Sequence, residues 1–218
     1  MRLLPSGSTA LLVELDDLDD VLALYAALAG RPPVGVVDVV PAARTVLLVT
    51  DPARTTLAAV AAAVRTTAPR PDARAGGDVV ELPVHYDGAD LAELAGLLGT
   101  DPAELVHRHT GAEWTVAFCG FAPGFGYLTQ DGGGWDVPRR PTPRTRVPPG
   151  SVALAGGFSG VYPRASPGGW QLIGRTDVAV FDLARDPAAL LRPGVRVRFV
   201  PRGQSRDCGP SGGVVAAP

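Results

Sequence analysis

Lysine is absent from the chain, because all 20 basic residues among its 218 residues are arginine. The sequence therefore excludes a Walker-A lysine, a lysine Schiff base with pyridoxal phosphate or an aldol substrate, and a Ser/Lys relay. It also excludes biotin or lipoate carried on a lysine of this chain. Because most nucleotide sites place a lysine at the phosphates, we predict that the isolated chain does not hydrolyse ATP.

Cysteine, histidine and long apolar runs are also scarce. The two cysteines, Cys119 and Cys208, do not make a disulfide framework, and three histidines, two of them at 107 and 109, do not supply a zinc set. We therefore predict no metal site. No apolar run approaches the length of a membrane span, and the N-terminus lacks the pattern of a secretory signal. The sequence predicts a cytoplasmic protein with no membrane partner.

Charge is divided unevenly along the chain, although the net charge is only −2. Up to Pro138 there are 18 acidic residues and 8 arginines, whereas 139–202 holds 11 arginines and 3 acidic residues. The second part therefore carries a basic field suited to an anion. It lacks the interleaved aromatic and basic residues of base-stacking platforms, so we predict no nucleic-acid partner.

The first part of the chain alternates strand and helix signals. Apolar strand patterns at 9–15, 34–40, 45–50 and 79–84 enclose helix patterns at 18–29 and 53–66. This β-α-β-β-α-β order predicts a ferredoxin-like unit. A segment rich in Pro, Arg and Gly at 67–78 then predicts an exposed loop or linker, and the strand at 79–84 fits either side of it.

The later part has the signals of an all-β domain. Two short helices are predicted at 90–98 and 101–109, followed by strands at 114–121, 151–155, 169–173, 178–181 and 195–200, and a helical turn at 185–191. The overall prediction is an α+β chain with an N-terminal α/β domain at 1–77, a β-barrel domain at 78–203 and a disordered tail at 204–218.

Four arginines lie within eight residues in Pro138-Arg-Arg-Pro-Thr-Pro-Arg-Thr-Arg-Val-Pro148. Proline stiffens this loop, and guanidinium groups bind carboxylates and phosphates with two donors at once. The alternative is that these arginines pair with acidic residues of the N-terminal half. We favour an anion site at Arg140 and Arg144 and leave both interpretations open for Arg139 and Arg146.

Two glycine-rich loops and one histidine complete the candidates. Gly120-Phe-Ala-Pro-Gly-Phe-Gly-Tyr127 and Ser166-Pro-Gly-Gly-Trp170 can turn backbone N–H groups towards an anion or an oxyanion, although such loops often only turn the chain. His109, at the predicted end of its helix, is a candidate general acid or base, or a favourable charge at the helix C-terminus.

These motifs, with Val137–Val152, Gly160-Val-Tyr-Pro163 and Ser166–Thr176, resemble a known family. It is called the 5-oxoprolinase B-type subunit, allophanate hydrolase subunit 1, or the KipI kinase-inhibitor family. The resemblance implies an N-terminal α/β domain and a cyclophilin-like β-barrel. It also implies two partner proteins. One is the C-type subunit, a homologous barrel protein, and the other is the A-type subunit. Together they carry out the ATP-dependent opening of 5-oxoproline to glutamate, with ATP bound by the complex.

Motif position and chemistry together give the candidate site. His109, Arg140 and Arg144 are the predicted catalytic residues. The predicted substrate-binding residues are Phe121, Pro123, Gly124, Phe125, Tyr127, Ser166, Gly168, Gly169, Trp170 and Arg175. Where the family usually has Gln-Thr-Gly, this chain has Phe158-Ser-Gly160, a difference that bears on substrate identity.

Two other functions fit the resemblance. A KipI-like chain would bind and inhibit a sensor histidine kinase through its surface. A carboxyltransferase-type protein, as in urea amidolyases, would act on carboxybiotin supplied by another protein, because this chain has no lysine to carry biotin.

Overall fold

Two β-sheets account for most strands of the computed structural model, which describes residues 1–70, 78–130 and 134–202. The strands are Arg2–Ser6 (β1), Ala10–Glu14 (β2), Val36–Pro41 (β3), Thr45–Thr50 (β4), Val79–Val84 (β5), Trp114–Cys119 (β6), Gly126–Gln130 (β7), Arg144–Val147 (β8), Ser151–Ala155 (β9), Phe158–Val161 (β10), Ser166–Gly168 (β11), Gln171–Arg175 (β12) and Arg196–Pro201 (β13). The helices are Leu18–Gly30 (α1), Leu57–Thr66 (α2), Leu91–Leu97 (α3) and Pro102–Gly111 (α4). None of these helices has the length and apolarity needed to cross a bilayer.

The first sheet is antiparallel in the order β1-β2-β4-β3. Strands β2 and β3 flank β4 and are connected through α1, as in a split βαβ unit. Helix α1 begins where the Asp17 carboxylate accepts the backbone N–H of Asp20 at 2.9 Å, and α2 begins where Thr56 Oγ1 accepts that of Ala59. The buried faces of both helices pack on the sheet around residues such as Val21, which is fully buried.

The strand at 79–84, which the sequence left open to either domain, belongs to the second sheet and not to the ferredoxin-like unit. β5 lies in the second sheet, parallel to β13, and the edge position beside β2 is filled by β1. The sequence does not predict β1, because it is mostly exposed, lacks an alternating apolar pattern and contains Pro5. It pairs with β2 because Gly7, at φ 64°, turns the chain tightly between them.

The second sheet has the order β12-β9-β10-β7-β6-β13-β5 and forms a nearly closed barrel. The seam lies between β5 and β12, where His85 and Arg175 exchange backbone hydrogen bonds of 2.8 and 2.9 Å. Helices α3 and α4 pack against β12 and β13. The predicted α+β class with a C-terminal β-barrel is confirmed, and β8 and β11 form a separate two-stranded sheet beside the barrel.

The predicted strand at 178–181 and helical turn at 185–191 are wrong. The segment forms a loop folded on itself, in which Leu190 N–H donates to Val180 O and Asp182 N–H donates to Ala188 O. The Arg185 guanidinium holds the loop by donating to Ala179 O at 2.8 Å. The two backbone bonds flank a single antiparallel bridge between Phe181 and Ala189, which is too short to be a strand, and they occupy groups that a helix would need. Most of the predicted 67–78 loop and the predicted disordered tail at 204–218 lie outside the described residues.

The segment from His85 to Asp90 lies directly against the backbone of β12. Gly88 N–H donates to Ile173 O at 3.2 Å, and Asp90 N–H donates to Leu172 O at 3.0 Å. A Cβ atom at Gly88 would lie 2.3 Å from the Ile173 carbonyl carbon and from Leu172 O. The absence of a side chain at position 88 therefore allows this segment to dock on the barrel.

We predict that Gly88→Ala lowers the free energy of unfolding by roughly 3 kcal/mol, because the added methyl group meets backbone atoms that cannot rotate away. Denaturant unfolding of the purified variant measures the effect. Gly96→Ala is the control, since a Cβ there has no neighbour within 4 Å. It should stay within about 1 kcal/mol of wild type. Equal stability of the two variants would contradict the prediction.

Candidate functional site

Two arginines of the proline-rich loop meet at one buried carboxylate. Arg140 Nη1 donates to Asp90 Oδ1 at 2.5 Å, and Arg144 Nη2 donates to the same oxygen at 2.7 Å. Asp90 Oδ2 accepts the Leu172 N–H at 2.7 Å. The carboxylate is 1% exposed, whereas the two arginine side chains are 28% and 23% exposed. The cluster therefore has a buried carboxylate on its inner side and partly exposed guanidinium groups on its outer side.

The charge of this cluster does not cancel. Burial raises the pKa of the Asp90 carboxyl, whereas hydrogen bonds from Arg144 and from the Leu172 N–H lower it. The nearby Arg144 and Arg140 charges act in the same direction, so the pKa of Asp90 lies below its ordinary value and the carboxylate stays ionised. Two guanidinium groups against one carboxylate leave one positive charge in excess.

The arginine loop lies beside the Ser-Pro-Gly-Gly-Trp loop. Strand β8 pairs with β11, with Arg144 opposite Gly168, and Arg140 N–H donates to Gly169 O at 2.8 Å. A Cβ atom at Gly168 would lie 2.3 Å from Tyr162 Oη, so glycine is required at this close approach. The structure thus brings together two motifs that lie apart in the sequence.

Aromatic side chains line the same region. Edge-on ring contacts of 5.1 to 6.0 Å connect Phe121, Phe125, Tyr127, Tyr162 and Trp170. Burial raises the pKa of Tyr162, while a hydrogen bond from the Trp170 backbone and the charges of Arg139 and Arg144 act against that rise. Gly168, which lies opposite Arg144, also lies against Tyr162, so the aromatic cluster and the arginine loop are neighbours in one candidate site.

Phe121 has an unusual backbone for its residue type. Its φ is 65°, and among the described residues it is the one non-glycine residue with positive φ. Its ring is 57% exposed, so burial repays little of this strain. The turn is fixed by Phe125 N–H donating to Ala122 O at 2.9 Å and by Gly124, whose φ is 84°. Strained residues of this kind concentrate at ligand sites.

The family follows from comparison with known proteins. The family model of the carboxyltransferase domain, subdomain C and D, matches residues 1–191. The chain belongs to this family. Among solved structures, TTHA0988 is similar with a TM-score of 0.74 and 37% identity, over 90% of this chain and 40% of that chain. The conserved uncharacterized protein PH0987 from Pyrococcus horikoshii is similar with a TM-score of 0.54 and 32% identity, over 92% of this chain and 97% of that chain.

Curated relatives carry a more specific name. Proteins named as the B-type subunit of 5-oxoprolinase from Escherichia coli O157:H7, Bacillus subtilis (strain 168) and Haemophilus influenzae are 50%, 45% and 42% identical to this chain. The alignments cover 56%, 56% and 58% of this chain and 58%, 52% and 61% of the relatives. The chain therefore spans little more than half the length of the relatives it matches. The Kluyveromyces lactis urea amidolyase, at 19% identity and a TM-score of 0.66 over 93% of this chain and 16% of that chain, shares the fold.

In this carboxyltransferase-domain chain, His109 lies in the barrel core. The residue is fully buried, and hydrogen bonds join its Nδ1 to Tyr86 Oη at 2.8 Å and its Nε2 to Ser159 Oγ at 2.9 Å. Burial lowers the pKa of His109 to about 3, so the ring is neutral at pH 7. A neutral imidazole with both nitrogens bonded fits a structural role better than the predicted proton transfer.

Phe158 and Ser159, at the positions where the resemblance implies Gln-Thr, point to different surroundings. Ser159, fully buried, supplies the hydroxyl that contacts His109, while the ring of Phe158 packs against Phe118 and Tyr127 at 5.7 and 5.8 Å. The ring of Phe158 therefore extends the aromatic cluster.

Some predicted site residues make their contacts away from Asp90. Arg175 Nε donates to Asp87 Oδ2 at 2.9 Å at the barrel seam, and Ser166 Oγ donates to Arg164 O at 3.3 Å. A cleft of about 380 Å³ beside α4, lined partly by His107, Arg108 and Trp135, contains none of the predicted site residues. Among the described residues, no three His, Cys, Asp or Glu side chains come together as a metal site.

Asp90 is the residue that the sequence analysis missed. The pattern marks it only as the start of a helix, and its carboxylate makes no capping hydrogen bond to α3. Its partners lie 50, 54 and 82 residues further along the chain. Acidic residues at helix starts are common, so no local signal separates this one from an ordinary cap.

We predict that His109 makes stability depend on pH. Its pKa of about 3 in the folded protein is below the ordinary value of 6.5, so its contribution is complete above pH 6.5 and falls as the pH drops towards 3. The loss should be about 1.4 kcal/mol per pH unit in this window. Urea unfolding between pH 7 and 4 measures it.

The His109→Asn variant isolates this contribution, because its remaining titratable groups are those of wild type. Its unfolding free energy should fall less steeply with decreasing pH than that of wild type. Parallel curves for the two proteins would show that His109 is not the group responsible.

Proposed function

We propose that this chain is the B-type subunit of an ATP-dependent 5-oxoprolinase complex, which opens the lactam of 5-oxoproline to give glutamate. The observation that carries the proposal is the 42% to 50% identity to three bacterial proteins that bear the name of this 5-oxoprolinase component. The chemistry of the candidate site supports it, because 5-oxoproline is a small flat ring that bears one carboxylate.

In this proposal the excess positive charge of Arg140 and Arg144 binds the substrate carboxylate. The ring lies against the exposed face of Phe121 and its neighbours Phe125, Tyr127 and Trp170. Gly168 and Gly169 lie beside the arginines, where backbone N–H groups stabilise negative charge that develops on the lactam oxygen. Pro123 and Gly124 shape the turn that presents Phe121. Arg175 pairs with Asp87 at the barrel seam and makes none of the contacts of this cluster, so the proposal assigns it no substrate contact.

ATP and the partner proteins complete the proposed activity. The complex uses ATP to activate the lactam carbonyl by phosphorylation before hydrolysis. We assign the nucleotide site to a partner protein, because this chain has no lysine to meet the phosphates. The proposed partners are the homologous barrel protein of C type and the protein of A type. The purified chain should hydrolyse no ATP by itself.

A second candidate is suggested by the family description, which names a carboxyltransferase domain. Such an activity would transfer a carboxyl group from carboxybiotin on a carrier protein. Avidin separates the two candidates, because it sequesters biotin. Loss of activity on adding avidin would favour carboxyl transfer, and unchanged glutamate formation would favour the 5-oxoprolinase.

We predict that Arg140→Lys and Arg144→Lys each lower kcat/KM of the assembled complex for 5-oxoproline by roughly 10- to 100-fold. Lysine keeps the charge but loses hydrogen bonds to a charged group, each worth about 1.5–3 kcal/mol. The measurement is glutamate release from 5-oxoproline and ATP by the complex of this chain with its A-type and C-type partners.

Arg146→Lys is the matched control, because Arg146 is an exposed arginine of β8, two residues after Arg144. It should retain wild-type kcat/KM. Glutamate release at the same rate when this chain is omitted from the complex would overturn the proposed function. Equal kcat/KM in all three variants would remove the arginine pair from the site.

We predict that Phe121→Asn weakens substrate binding without loss of stability. Asparagine adopts positive φ more readily, which offsets lost ring contacts, so the unfolding free energy should stay within about 1 kcal/mol of wild type. The KM for 5-oxoproline should rise about 3- to 10-fold as aromatic contact is lost. Leu183→Asn, which changes another exposed apolar residue at 84% exposure, should leave KM unchanged. A KM for Phe121→Asn equal to wild type would contradict this role.

A further inference from the structure

Asp90 reaches the arginine pair from a segment fixed to the barrel. Its backbone N–H donates to Leu172 O, and the Leu172 N–H donates back to its side chain at 2.7 Å. Gly88, two residues earlier, touches the backbone of β12. The carboxylate therefore has little freedom to move relative to β12.

The two arginine side chains depend on Asp90 for their orientation. Arg140 precedes β8 and Arg144 begins it, and within the described part of the chain the side chains of both donate to Asp90 Oδ1. Because guanidinium is planar and donates along fixed directions, one bond to a fixed oxygen restricts the orientation of the whole group. The position of Asp90 thus sets the direction in which the other N–H groups of both arginines point.

Part of each guanidinium is left without a partner among the described residues. Arg140 Nε and Arg144 Nη1 are buried and donate to no acceptor there. Buried charged donors in folded proteins normally have a partner, so the bonds to Asp90 do not satisfy the whole of either guanidinium group. Both side chains are also partly exposed, at 28% and 23%, so a substrate carboxylate can approach the pair and balance its one excess positive charge.

We propose that Asp90 is a positioning residue that holds Arg140 and Arg144 as a preformed receptor for the substrate carboxylate. The inference rests on the proposed 5-oxoprolinase function and adds to it the residue that fixes substrate orientation. Asp90 acts through the arginines and does not touch the substrate. Its negative charge also keeps the receptor at one net positive charge, which suits a monoanion.

A purely structural ion pair predicts a different result. If Asp90 only stabilised the fold, its replacement would lower the amount of folded protein and the melting temperature, and the folded fraction would bind 5-oxoproline normally. A positioning role predicts a raised KM for 5-oxoproline in folded, assembled complex. The KM therefore separates the two roles where stability does not.

The test compares wild type, Asp90→Asn and Asp90→Glu in the complex with the A-type and C-type partners. Asparagine keeps the shape and removes the charge, whereas glutamate keeps the charge and moves it by one methylene. Each should raise the KM for 5-oxoproline at least about 10-fold. Inhibition by 2-pyrrolidinone, the same lactam without a carboxylate, should change less than threefold, so the preference for the carboxylate collapses.

Glu81→Gln is the matched control, because Glu81 pairs with Arg198 at 3.4 Å on the exposed surface of the barrel. It should keep the wild-type KM. An unchanged KM in Asp90→Glu, or in a folded Asp90→Asn, overturns the positioning role while leaving the 5-oxoprolinase intact. A wild-type complex that releases no glutamate overturns both. If Asp90→Asn fails to assemble, the Asp90→Glu result decides.

Discussion

The buried carboxylate of Asp90 joins three parts of the chain that are distant in sequence. One oxygen is bonded to the backbone of β12 and the other to Arg140 and Arg144 of the proline-rich loop. Removing one member of a buried ion pair leaves its partner charged and unsolvated, which costs far more than an exposed salt bridge contributes. The candidate site is therefore built on one charge whose burial makes its partners interdependent, and the arginines stay at the surface because Asp90 lies beneath them.

The close packing of the loops around the arginine cluster depends on glycine. At Gly88 and Gly168 a methyl group would lie 2.3 Å from neighbouring atoms, the first at β12 and the second at Tyr162 Oη. Gly88 lies in the segment that carries Asp90, and Gly168 lies in the strand that pairs with Arg144, so both close contacts are next to the arginine cluster. The high glycine content, 27 residues, is thus used at least in part for packing loops onto the barrel and not only for turning the chain.

The sequence indicates those features whose signal lies in neighbouring residues, and it misses those that depend on residues far apart in the chain. Arg140 and Arg144 are recognisable because four arginines among prolines form an unusual run, and the aromatic loop is recognisable from its own residues. The barrel strands β6, β9 and β13 follow from short apolar runs. The sequence predicts neither the role of Asp90 nor strand β1, because both depend on partners or pairing that no local pattern encodes. The burial of His109 is missed for another reason: the end of a helix suggests exposure, but Tyr86, Trp114 and Phe199 pack against its ring.

The absence of lysine acquires a structural meaning at this site. Two arginines share a single oxygen of Asp90 and still have other N–H groups, because each guanidinium carries five donors spread around a plane. A lysine ammonium is a compact point charge, and once drawn to Asp90 it would present no fixed second edge to a ligand. A cluster in which two side chains bind one carboxylate oxygen and keep further donors in fixed directions therefore requires arginine at both positions. Whatever the origin of the arginine-only composition, this cluster depends on a property that lysine does not have.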